Sequence, residues 1–142
     1  MGKPMSLIRL NQQTSYPLHS LAATRRIEQA AAAQLAPHTL MQRAGLAVAQ
    51  MLADRFGCVV ILTGAGSVIA APGLTPYINA NGNAKLATAG TGDVLAGMVG
   101  AHLAASQDAF QSACTATHRH GLAADTWSTA NTLTASELVK LI

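Results

Sequence analysis

Apolar residues recur at helical spacing through Leu40, Met41, Ala44, Val48, Met51 and Leu52, which predicts a helix from about residue 40 to residue 56, stopped by Gly57. Residues 18–34 read as an earlier helix with Arg and Glu on its outer face, and Pro37 breaks the chain and restarts it, with His38 or Thr39 near the next first turn. The methionines of the second helix lie on its apolar stripe and read as core. After Gly57 the period changes. Residues 58–62 form one continuous apolar run, which predicts a buried central strand, and residues 67–71 a second strand set off by Gly64, Ala65 and Gly66. Pro72 and Gly73 make a turn, residues 76–79 a return strand, and residues 81–83 a further turn. A helix follows from about residue 92 to 106 and another from 108 to about 127. A short terminal helix is opened by Thr134, with Glu137 three residues on as a capping box. Helix, strands, glycine loop and helix in this order predict an α/β sandwich.

Composition narrows the class. Of 142 residues 50% are hydrophobic and 11% charged, which suits one domain with a buried core, and aromatics at 4% are too few for a base-stacking platform. The net charge of +3 divides into +4 over the first 55 residues and −1 afterwards, but the cations are spread among Ala and Leu, which argues against a nucleic-acid partner. No apolar run is long enough for a membrane span, and residues 6–20 mix Arg, Asn, Gln and His where a signal peptide would be apolar, so the expected location is cytoplasmic. Cys58 in the apolar run and Cys114 in an Ala-rich helix lack metal spacing and read as buried thiols in a reducing compartment. His118 and His120, two apart, would point to different sides of a helix, so no metal site is expected; His19, His38 and His102 have no partner at a useful spacing.

The candidate chemistry lies in AGTGDVLAGM, residues 89–98, where glycines flank Thr and Asp as a loop becomes a helix. Gly90, Thr91, Gly92 and Asp93 can turn backbone N–H groups out of the helix start, where the dipole adds partial positive charge and favours phosphate. Asp93 at the mouth of such a site can accept a proton from a substrate hydroxyl or orient a metal ion. The segment lacks the Lys-Ser or Lys-Thr pair of the common phosphate loop and the GxGxxG spacing of dinucleotide folds. Thr and Asp also cap helices in the absence of any ligand, so the flanks must decide.

From Met51 to Ile142 the chain resembles the final part of the ADP-dependent NAD(P)H-hydrate dehydratases of the ribokinase-like superfamily, through GAGSVIAAPG, INANGNAKLATAGTGDVLAGM and the HGLAAD that begins at His120. The opening resembles the start of the NAD(P)H-hydrate epimerase domain fused ahead of the dehydratase in many bacterial proteins, through RRIEQAAA from Arg25 and PHTLMQRAGLAVAQ from Pro37. The two resemblances imply residues 1–50 as an epimerase-like helical segment and 51–142 as the C-terminal part of a dehydratase domain, joined at Gln50–Met51 by a large internal deletion. The implied fold is a partial ribokinase-like sandwich preceded by two N-terminal helices.

The resemblance also implies chemistry. Gly64, Ala65, Gly66 and Ser67 correspond to a loop of the adenine nucleotide site, Gly92 to a further nucleotide contact, and Asp93 to the catalytic residue facing the hydrated nicotinamide. Thr63 stands where the family usually has Lys, and Lys85 where Pro or Gly is usual; Lys85 either supplies a compensating charge or is a solvated turn residue. His120 resembles a helix histidine that is packed or hydrogen-bonded. The implied nucleotide-site set is therefore Thr63, Gly64, Ala65, Gly66, Ser67, Gly90, Thr91 and Gly92. The implied reaction is a lyase step, dehydration of NADHX or NADPHX driven by ADP or ATP with Mg2+, impaired by the missing segment. Two alternatives stand beside it: a ribokinase-like small-molecule kinase, and a non-catalytic remnant that associates through its exposed apolar surface, homo-oligomers included.

Overall fold

The computed structural model describes residues 18–106, 108–128 and 131–142. They form five α-helices, three short strands and one 3-10 turn, and the chain divides into two compact units, Met1–Ala47 and Val48–Ile142.

In the first unit, helix α1 spans Leu21–Ala32 and is capped by Ser20, whose hydroxyl accepts from the Ala23 amide at 3.3 Å. None of its residues is buried, so cap and local propensity define it rather than packing. Helix α2, Thr39–Phe56, begins at the restart expected after Pro37, with His38 in the left-handed region at φ 65°. The second unit starts within α2 and buries Ala49 and Ala53, one turn apart. Gln50 on the same helix donates from Nε2 to the Ala71 carbonyl at 3.2 Å and to Asp54 at 2.9 Å. Its Oε1 is buried without a partner.

Strands β1 (Val60–Leu62), β2 (Val68–Ala70) and β3 (Tyr77–Ile78) form an antiparallel sheet in that order, with Leu62 opposite Val68 and Ile69 opposite Tyr77. The expectation of a buried central strand at residues 58–62 is corrected here: the buried middle strand is β2, whereas β1 is half-buried at an edge of the described sheet. Cys58 is corrected with it. The strand begins only at Val60, so Cys58 falls in the turn after Gly57 and is exposed, while Cys114 is half-buried.

Helix α3, Thr91–Ser106, carries apolar residues around most of its circumference; it buries Thr91, Leu95 and Met98, while Ala96, Gly97, Gly100, Ala101 and Leu103 are exposed. Leu95 and Met98 pack with Ala116 and Ile61, while Val94 also reaches the cluster of Ala123, Ala124, Leu133 and Leu138. Helix α4, Ala109–Thr126, presents Ala113, Ala116, Thr117, His120, Ala123 and Ala124 as a buried face of mostly small residues, which lets its neighbours approach closely. Asp108 caps it by accepting from the Gln111 amide at 2.7 Å. Helix α5, Ala135–Val139, is capped by Thr134 as the sequence predicts, but Glu137 pairs with Lys140 at 2.8 Å. Leu138, fully buried, anchors this single turn and a half. Among the described residues no helix is long and apolar enough to cross a membrane.

Candidate functional site

The β1–β2 connection, residues 63–67, is a tight loop in which Gly66 takes a positive φ of 77°. Ser67 closes it, its Oγ accepting from the Gly64 amide and donating to the Gly64 carbonyl, both at 3.2 Å. Thr63, Gly64 and Ala65 are exposed in the loop. It faces a cleft of about 510 Å³, within the range of small-molecule sites.

The opposite wall is the start of α3. Its first ladder bond runs from the Val94 amide to the Gly90 carbonyl at 3.1 Å, which leaves the Gly92 and Asp93 amides ahead of the ladder. Thr91 is buried and pinned: its hydroxyl lies 2.6 Å from the Leu86 carbonyl and 2.9 Å from that of Thr88. Behind it, His120 Nε2 sits 2.9 Å from the Thr91 carbonyl, so α4 holds the first turn of α3. This is the hydrogen-bonded role expected for His120, and the ring also contributes to the cleft wall.

The predicted residues therefore divide. Thr63, Gly64, Ala65, Gly66, Ser67, Thr91 and Gly92 all wall the cleft, although residues 63–67 and 91–92 are separated by two strands and a turn. Gly90 and Asp93 are not among its walls. A Cβ on Gly90, which has φ 87°, would come within 3.0 Å of Ala135 Cβ, so this glycine serves the approach of α5. Asp93 is exposed in the first turn of α3, where its negative charge also complements the helix dipole.

Several wall residues escaped the sequence reading, namely Asn79, Asn81, Gly82, Asn83, Thr117 and Gly121. The turn signal at residues 81–83 located the loop without its purpose. Asp125 orders it, accepting from the Gly82 amide at 2.9 Å and from Asn83 Nδ2 at 2.8 Å. Asn83 also donates to the Ala124 carbonyl at 3.0 Å. The signal that could have found this pairing is the joint presence of INANGN and HGLAAD.

Among the described residues no lysine or arginine lines the cleft. Lys85, read as either a compensating charge or a solvated turn residue, does neither: its Nζ donates to the Trp127 carbonyl at 2.9 Å, just past the end of α4. Among the described residues no group of three His, Cys, Asp or Glu side chains could hold a metal ion. The cleft thus offers helix-terminal amides, amide side chains and hydroxyls, suited to a polar ligand whose anionic part meets backbone donors.

The sequence profile described as NAD(P)H-hydrate dehydratase matches residues 19–142. The ADP-dependent (S)-NAD(P)H-hydrate dehydratase of Neisseria meningitidis serogroup B is 44% identical over 91 residues, which are 57% of this chain and 31% of that protein. The bifunctional NAD(P)H-hydrate repair enzyme of Mycobacterium leprae is 49% identical over 73 residues, 51% of this chain and 15% of that protein. A crystal structure of ADP/ATP-dependent NAD(P)H-hydrate dehydratase from Bacillus subtilis, co-crystallized with ATP/Mg2+, superposes with a TM-score of 0.66 at 34% identity. That likeness covers 71% of this chain and 38% of the other. The chain therefore spans less than half the length of the curated relatives it matches, from 10% to 40%. Its α/β fold is a partial ribokinase-like sandwich preceded by two N-terminal helices.

Proposed function

The chain belongs to the NAD(P)H-hydrate dehydratase family, and from that premise we propose that its cleft binds an adenine nucleotide, ADP or ATP, for the dehydration of hydrated NAD(P)H. The observation that carries the proposal is the meeting of the 63–67 loop and the start of α3 across one cleft. The loop provides a wall for the nucleotide, and the Gly92 and Asp93 amides offer donors to its phosphates. Mg2+ would be carried on those phosphates, where it would neutralise their charge, rather than in a cage of protein ligands.

In the proposed reaction, the terminal phosphoryl group passes to the hydroxyl oxygen of the hydrated nicotinamide as Asp93, exposed next to the wall residue Gly92, takes the hydroxyl proton. Departure of that oxygen as phosphate, with loss of a neighbouring proton, restores the ring double bond. Such transfers depend on positioning, and the walls found among the described residues are those named above, so turnover by this chain is expected to be low. The proposed setting is the cytoplasm.

Residues 1–50 are read as an epimerase-like helical segment joined at Gln50–Met51 to the dehydratase part. The division into Met1–Ala47 and Val48–Ile142 supports that reading, while the family match from residue 19 extends the dehydratase likeness into both N-terminal helices.

Thermal unfolding with and without ADP tests the site. A ligand bound only by the folded state adds about 2.7 kcal/mol at a hundredfold excess over Kd, so a rise in Tm with ADP is expected and its absence would sink the proposal. Conversion of NADHX to NADH with ADP, followed by absorbance, tests the reaction. Any turnover above background should vanish in Asp93→Asn, whereas undiminished turnover in that variant would remove Asp93 from the mechanism.

A further inference from the structure

Asn79 is only 6% exposed, yet it forms part of the cleft wall. Its backbone amide donates to the Ser67 carbonyl at 2.8 Å, which fastens it to the end of the 63–67 loop. Its side-chain Nδ2 donates twice, to the Asn81 carbonyl at 3.0 Å and to the Thr117 carbonyl at 3.3 Å. Carbonyl oxygens only accept, so this pair of partners dictates which end of the amide is nitrogen. Both donors are committed, and Oδ1 is left as an oriented acceptor.

Among the described residues that oxygen has no hydrogen-bond partner, and the sealed orphan there is Gln50 Oε1, not Asn79 Oδ1. Asn79 lines the cleft, so an acceptor that is neither paired nor sealed is available to what the cleft holds. A side chain held by two bonds from behind, with its remaining acceptor turned to a ligand space, is prepared to read a donor. Aspartate would set a negative oxygen against the two carbonyls, and alanine would remove both the anchor and the acceptor.

The geometry points to Asn79 as a specificity-determining residue whose Oδ1 accepts a hydrogen bond from a donor on the bound nucleotide, either the 6-amino group of adenine or a ribose hydroxyl. The inference rests on the nucleotide reading of the cleft. It goes beyond that reading in assigning recognition to a residue outside both the glycine loop and the start of α3.

Calorimetric titration of the full chain with ADP, purine riboside 5′-diphosphate, 2′-deoxy-ADP and 3′-deoxy-ADP tests it, because each analogue lacks one donor. One analogue should bind roughly three- to tenfold more weakly than ADP, the weight of a single neutral hydrogen bond, and its identity names the donor. In Asn79→Ala that analogue and ADP should bind alike. The wild-type series stands on its own where the variant does not fold: equal affinity for ADP and all three analogues would overturn the inference. Full discrimination retained by a folded Asn79→Ala would overturn it as well. Absence of ADP binding by the wild type would overturn the nucleotide reading and this inference with it, whereas ADP binding without discrimination overturns this inference alone.

Discussion

Gly121 on α4 lies so close to Asn81 that a Cβ built on it would fall 2.7 Å from the Asn81 carbonyl oxygen and 2.8 Å from the carbonyl carbon. That same oxygen accepts from Asn79 Nδ2, so helix α4 presses against the backbone that orients the cleft wall. Gly121→Ala must displace either the helix or the 79–83 segment. Overpacking of this kind costs about 1–3 kcal/mol. A lower urea midpoint together with a reduced ADP-dependent rise in Tm is expected; an unchanged ADP response would show that the contact is structural only.

Leu138 is fully buried in the cluster that holds α5 against α3 and α4. Leu138→Ala should cost about 2–5 kcal/mol, a large share of the roughly 5–15 kcal/mol that holds an ordinary domain folded. Chemical denaturation reads the loss directly, and a shift under about 1 kcal/mol would mean that the site collapses to fill the void.

Thr63 is exposed at the cleft where the family resemblance implies a cation, and among the described residues no lysine or arginine lines the space. Thr63→Lys should tighten ADP binding about fivefold, the effect of an exposed charge contact of ~1 kcal/mol. The gain should shrink as salt is raised. Unchanged affinity in a calorimetric titration would show that position 63 does not reach the phosphates.

Burial pushes the Cys114 thiol above its ordinary range, and the negative charge of Asp108 adds to the shift. In a Cys58→Ser background, which removes the exposed thiol, alkylation of Cys114 should accelerate only at a pH above the usual thiol midpoint. Asp108→Asn should move that midpoint down. Because the folded value is raised, the stability it contributes is present below the unfolded thiol value and declines as pH rises through the folded one. A labelling midpoint at or below the unfolded value would contradict the burial.

The helices were legible in the sequence because their causes lie within a few residues. The stripe through Leu40, Ala44 and Met51 places α2 at Thr39–Phe56, although Met41 and Met51, read as core, are exposed and Ala49 and Ala53 are buried instead; Asp108 and Thr134 cap the helices that follow them. The glycine loop at the start of α3 was legible for the same reason: Thr91–Ser106 begins where Gly and polar residues give way to an apolar run. Strand order was not. An apolar run reads as buried whichever position it takes, and only the pairing of β2 with both neighbours left β1 at an edge.

Resemblance singled out residues 63–67, but a loop alone is not a site. Only the tertiary structure set residues 63–67 across from Gly92, and only there does Asn79 acquire a meaning, because Thr117, which holds its amide, stands 38 residues away. Lys85 shows the same limit, since an acceptor 42 residues on takes its charge away from the cleft. Capping and helical period are set by neighbours within a turn, and the sequence carries them in full. Which side chains share a cleft, and which of their polar atoms are left over for a ligand, depends on where the packing of α3, α4 and the sheet brings distant backbone together.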